Sequence, residues 1–310
     1  MKNKRPFLFL LFFLLNAGPV FSLAPVPADP GAILSWPQET WRDRNFEVFS
    51  WDRHPEILIF DTADYAVQDR FFKRLAFFVE KAGFRGRLSY DEEIAGLHGW
   101  NAHNYRAEDL AVFFQTARAS NFPLLDEEWH LEYILFRAGI LSWDNNSGIS
   151  AGRGAVLSLS RESDRVDRTL RPRFMAHEAF HGLFFVDEDF RDFSRRRWEA
   201  FPGFAKTFLL AYFEIQTYDL EDEYLVVNEF MAHILQFSSA SASWYFGEHL
   251  PNIILSRAPR HRTSLPERET RTSQGRRFWP ELAEVFTREA EAFSAYVNRR
   301  WGLAAGRVWR

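Results

Sequence analysis

The chain has 310 residues, 46% hydrophobic and 26% charged, a composition typical of globular proteins that excludes wholesale disorder and collagen-like or fibrous architectures. Its length suits one large domain or two modest ones, and its 33 Phe, 11 Trp and 9 Tyr build the core largely from flat, bulky side chains. The absence of Cys excludes disulfides, thiolate metal sites, iron–sulfur clusters and a cysteine nucleophile, and a formal net charge of −4 speaks against nucleic acid as a partner.

Lys2, Lys4 and Arg5 precede an apolar run at 7–15, and Ser22 and Ala24 are small residues on either side of Leu23. This is the pattern of a cleavable export signal over residues 1–24. The run is short of the ~20 apolar residues a bilayer span needs, so stable membrane insertion is not expected after cleavage, with an uncleaved anchor as the alternative. No Cys follows it, which excludes a lipid-anchored lipoprotein. Loss of the three basic residues takes the net charge to about −7. The mature protein is expected outside the cytoplasm, periplasmic or secreted.

Residues 25–150 read as an N-terminal α/β portion. After a Pro-rich leader comes a buried strand at 57–60, then an amphipathic helix through Phe71, Phe72, Leu75, Phe78 and Val79 that stops by Gly83. Further helices are expected at 107–117 and at 126–137, the latter with Asp126 as N-cap. Residues 154–160 alternate apolar and polar side chains from Leu157 onward, as a half-exposed strand does. From Arg173 the chain reads as mostly helical, residues 151–256 forming the core that carries the chemistry. Residues 257–277 hold seven Arg and read as a polar loop, with a solvated surface or an anionic polymer as the alternatives for the arginines. A final helix runs through Leu282, Val285, Phe286, Phe293 and Val297.

The chemistry is concentrated in His177-Glu178-Ala179-Phe180-His181. Four residues of helix advance about 400°, so the two imidazoles lie about 40° apart on one face, one turn from each other, placed to grip one ion. Glu178 is too close to them to be a comfortable third ligand and is well placed to touch a water on that ion. Zinc acidifies such a water, and the carboxylate can take its proton and deliver it to a leaving amine. With nine His in the chain, chance supplies about 0.015 such motifs. The bland alternative is a pair of core-edge histidines bonded to backbone carbonyls.

A catalytic zinc needs a third protein ligand. One option is Asp187, ten residues after His177, but Phe184 stands where metzincin-type chains carry the Gly that lets the helix break. The other is Glu229, set among Leu225, Val226, Phe230, Ile234 and Phe237 at helical spacing, where a carboxylate wants a cationic partner. His233, one turn on, suits a group that orients a ligand. Tyr224, Tyr245, His233 and His249 are the candidates to stabilise a developing oxyanion.

His177-Glu178-Ala179-Phe180-His181 followed by Asn228-Glu229 on a later helix resembles the gluzincin group of zinc metallopeptidases, over residues 154–237. The resemblance implies a zincin-like α+β fold, with His177, His181 and Glu229 as zinc ligands and Glu178 as general base. It also implies an edge strand just before the first helix, along which a peptide substrate lies as an added strand. Val156, Leu157 and Ser158 are expected there, by β-augmentation. Two features depart from the family: 48 residues separate His181 from Glu229, and His233 stands where an acid is common. The expected function is zinc-dependent hydrolysis of peptide or other amide bonds on a peptide or protein substrate. The alternatives are a non-catalytic zincin-like metal- or peptide-binding protein of the cell envelope, and a carbohydrate or lipid binder using the aromatics. His98 and His103 are expected to be structural rather than ligating.

Overall fold

The apolar run at 57–60 lies in β3 (His54–Thr62), within a five-stranded mixed sheet. The structure is a computed structural model describing residues 24–161 and 170–309, so the expected signal segment, Ala24 apart, lies outside the described residues. The sheet is ordered β1 (Val26–Ala28), β2 (Phe46–Trp51), β3, β7 (Ala155–Ser160) and β4 (Ala102–Arg106). β2 is antiparallel and β7 parallel to β3, and β4 pairs antiparallel with β7 at the edge. β7 thus comes from beyond residue 150 and its sheet partners from before it, so the two sequence segments share one sheet. A small hairpin, β5 (Leu141–Asp144) with β6 (Gly148–Ala151), stands apart from it.

Alternate side chains enter two apolar layers. Phe49, Ile57, Ile59, Leu157 and Leu159 pack with α5 (Arg171–Val186). Val48, Leu58, Phe60 and Val156 pack with α2 (Tyr65–Val79), α3 (Ala107–Ala119) and α4 (Asp126–Ala138). With helices on both faces, β7 is buried from Ala155 to Leu159 rather than half-exposed. Its alternating Ser158 is satisfied inside, the hydroxyl accepting from Gln68 Nε2 at 2.9 Å. The N-cap of α4 is Leu125, not Asp126, because Glu128 reaches back to accept from the Leu125 N–H at 2.8 Å.

The rest is helical: α1 (Pro30–Leu34) near the start, then α6 (Glu188–Glu199), α7 (Gly203–Ile215), α8 (Glu223–Leu235), α9 (Ser239–Trp244), a π turn at Tyr245–His249, α10 (Leu250–Arg257) and α11 (Pro280–Trp301). The Arg-rich segment is a 3-10 turn (Pro259–Ser264) and a two-stranded ribbon, β8 (Thr270–Arg271) with β9 (Arg277–Phe278). Acids answer several of its arginines: Glu214 meets Arg260, Glu269 meets Arg262 and Arg277, and Glu248 meets Arg276. Among the described residues, no helix is long and apolar enough to cross a membrane.

α5 lies on the sheet through Ala176, Ala179, Phe180 and Leu183, a run at i, i+3, i+4 and i+7. Gly182 makes the approach close, since a Cβ there would stand 3.0 Å from Ile57 Cγ2. Gly182→Val is expected to push α5 off the sheet and destabilise the fold by about 1–3 kcal/mol, read by urea unfolding. A variant as stable as wild type would show that this contact does not set the helix position.

His103 points from β4 into the opposite layer, with Nδ1 2.9 Å from the Tyr105 hydroxyl and its ring stacked on Phe72. Burial holds its pKa down to about 3. The unfolded chain therefore binds a proton below the ordinary value of 6.5 that the fold does not bind until about 3, so stability falls with pH across that window. Going from pH 7.5 to 5 should cost wild type about 2 kcal/mol more than His103→Phe, compared by denaturant unfolding at both pH values. Equal costs would show that the fold accepts a charged His103.

Candidate metal centre

His177 and His181 lie one turn apart on the side of α5 turned from the sheet, where α8 packs across it. His177 Nε2 and His181 Nε2 are 3.1 Å apart, and Glu229 from α8 places Oε2 3.7 Å from the first and Oε1 3.6 Å from the second. Four ligands arranged tetrahedrally at zinc bond lengths of ~2.0–2.1 Å are about 3.3 Å from one another, close to these separations. All three residues are buried, and Glu229 Oε2 has no hydrogen-bond partner. A buried carboxylate oxygen without a donor wants a cation. The donor set, two imidazoles and a carboxylate, therefore fits a zinc ion.

The electrostatics agree. Burial, aided by the Arg173 charge, holds the His177 pKa down to about 3, and burial holds His181 to about 4 against the pull of Glu229. Both rings are neutral at ordinary pH, with nitrogen lone pairs available. Burial pushes Glu229 up, while His181 and the nearby Tyr218 hydroxyl pull it down. Glu178 is also raised, first by burial and then by Glu229 and Glu80. Glu80, at the end of α2, is pushed up to about 8 by burial and by Glu229. Glu229 thus opposes the ionisation of both Glu178 and Glu80, and a cation beside Glu229 would relieve both.

The adjoining cavity is about 450 Å³. Glu178 and His177 face it from α5, His233 from α8, and Tyr245 and His249 from the π turn. His233 Nε2 is 3.7 Å from Glu229 Oε2, and Gln236 Nε2 donates to His233 Nδ1 at 2.9 Å. That bond leaves the hydrogen on Nε2, a donor directed at the site. Tyr224 does not reach it: five residues before Glu229 on one helix means about 140° around the axis, and its ring lies under Arg106 instead. Asp187 is also elsewhere. α5 continues to Val186, and Asp187 caps α6 by accepting from Phe190 N at 2.8 Å while pairing with Arg300.

The expected substrate edge at Val156, Leu157 and Ser158 is overturned. β7 is paired on both sides, with β3 and with β4, so its backbone has no free edge. Among the described residues β4, at the edge beside β7, has no strand on its outer side, and Ala102 and Asn104 line the cavity. Asn104 also donates from Nδ2 to Glu178 Oε2 at 2.9 Å. Sequence reasoning left the run 99–105 unassigned, and the only signal in it was its density of Trp, Asn and His. Trp100, Tyr212, Tyr218 and Arg173 are further cavity residues with no local motif to mark them. His98 and His103 stay outside the ligand cluster, His98 Nδ1 lying 2.9 Å from the Tyr65 hydroxyl.

Compared with protein-family models, curated proteins and solved structures, the chain has no match.

Elemental analysis of purified protein should find about one zinc per chain, with little in His177→Ala or Glu229→Ala and a full complement in Asp187→Ala. Retention of zinc by Glu229→Ala would move the third ligand elsewhere.

Proposed function

We propose that this chain is an exported, zincin-like zinc hydrolase that cleaves peptide or other amide bonds in a peptide or protein substrate outside the cytoplasm. The observation that carries the reading is the convergence of His177, His181 and Glu229 nitrogen and oxygen atoms, 3.1–3.7 Å apart, at the wall of a cavity that His177 and Glu178 line. The export pattern at the N-terminus supports the location.

When bound, zinc supplies a Lewis acid that polarises the scissile carbonyl and acidifies water. The chain's own groups do the rest. Glu178 is the base: Asn104 holds its Oε2, leaving Oε1 to take the proton of the attacking water and then give it to the departing amine. The raised proton affinity that burial gives Glu178 suits that second task. His233, oriented by Gln236, offers an N–H to the carbonyl oxygen as negative charge develops there. The substrate backbone lies along β4. Pairing of the Ala107 N–H with Gly154 sets the alternation that turns the backbone groups of Ala102 and Asn104 outward.

Glu178→Gln should keep its zinc and lose about 10²–10⁴-fold in kcat on a fluorogenic peptide mixture. His233→Ala should keep zinc and lose about 10²-fold or more. Zinc-loaded protein in which Glu178→Gln turns over as fast as wild type would remove Glu178 from the mechanism. A zinc-loaded wild type that cleaves nothing would favour a binding protein.

A further inference from the structure

Arg173 is the third residue of α5, one turn before His177 on the same face, and it lines the cavity. Its guanidinium rests against the rings of Phe174 and Phe237, 5.3 and 5.2 Å from their centroids. Among the described residues no carboxylate pairs with it, and its buried Nε has no hydrogen-bond partner. Other arginines drawn into this fold are answered: Arg171 and Arg161 share Asp61, Arg74 meets Asp91 and Glu128, and Arg197 meets Glu289. A cation in the first turn of a helix also opposes the helix dipole. Arg173 therefore keeps its charge with aromatic rings beside it but no internal carboxylate to neutralise it.

Arg257, the last residue of α10, lines the same cavity and has no acid partner among the described residues, although its neighbours Arg260 and Arg262 do. The charges of Arg173 and Arg257 both act on Tyr212, another cavity residue, so these two cations share one part of the cavity while Glu80 and Glu178 line another. Guanidinium groups match carboxylates by two parallel hydrogen bonds. The Arg173 charge bears on both His177 and His233, so its guanidinium is close enough to the ion's ligands to meet a carboxylate one residue beyond the reacting carbonyl.

Resting on the hydrolase reading above, we infer that Arg173, supported by Arg257, receives a substrate carboxylate, and that this is the free carboxylate of the C-terminal residue. The enzyme then releases single residues from carboxyl ends. The step is a hydrolysis: water oxygen bonds to the penultimate carbonyl carbon, the C–N bond breaks, and the amine of the released residue leaves with the proton that Glu178 carries.

The test uses zinc-loaded protein and three N-acetylated peptide libraries: one with free C-terminal carboxylates, one amidated, and one amidated with an internal Asp or Glu. Mass spectrometry should find single C-terminal residues released from the first alone. Calorimetry on zinc-loaded Glu178→Gln should find the free acids bound about 30-fold or more tightly than the amides. Adding Arg173→Met should erase that preference with zinc content and circular dichroism unchanged, and Arg257→Gln should reduce it. Equal cleavage and binding of acids and amides overturns the proposal while leaving the hydrolase intact. Cleavage confined to the internal-acid library overturns the terminal assignment. Bound zinc with no library cleaved sinks the hydrolase reading and this inference with it.

Discussion

The centre of this molecule depends on carboxyl groups held away from water. Glu229, Glu178 and Glu80 are all buried, Glu229 raising the proton affinity of the other two, and the imidazoles beside them are neutral. Ionised carboxylates in such a place are costly unless a cation joins them. A divalent ion among His177, His181 and Glu229, as proposed above, would turn that cost into binding energy. The same surroundings raise the proton affinity of Glu178, first by burial and then through Glu229 and Glu80.

The sheet makes this arrangement possible by fixing α5. Gly182 lets the helix settle against Ile57, while Ala176, Ala179, Phe180 and Leu183 fill the apolar layer, so His177 and His181 are turned toward α8. α8 brings Glu229 and His233 on one face and buries Phe230 among Trp198, Phe201 and Phe293 on another. The edge strand β4 supplies Asn104 from the third side. Two helices and a strand, distant in sequence, thus frame one point.

Legibility in the sequence followed the range of each interaction. Residues whose partners lie within a turn or two of helix could be read directly: the His177/His181 pair, Glu178 between them, and Glu229 with His233 one turn on. The alternation in 154–160 was also visible, but it says nothing about which strands flank β7. Hence spacing alone puts the open edge one strand too far in and turns Ser158 toward solvent, whereas Gln68, 90 positions away, satisfies it. Asn104 meets Glu178 across 74 residues, and Tyr224, near Glu229 in sequence, faces about 140° away from it around α8. Arg173 belonged to a legible helix, yet what sets it apart is a lack of partners, which no pattern of spacing reveals.

The π turn between α9 and α10 shapes what substitutions the chain can accept. Its five residues present Tyr245 and His249 to the cavity, and Gly247 lies where a Cβ would stand 2.7 Å from both Ala283 and Phe278. Removing one residue there would tighten the segment to an ordinary helix and rotate α10 by about 100°, swinging Arg257 off the cavity wall. Across divergent versions of this protein, the count of residues in that segment should consequently vary less than their identity.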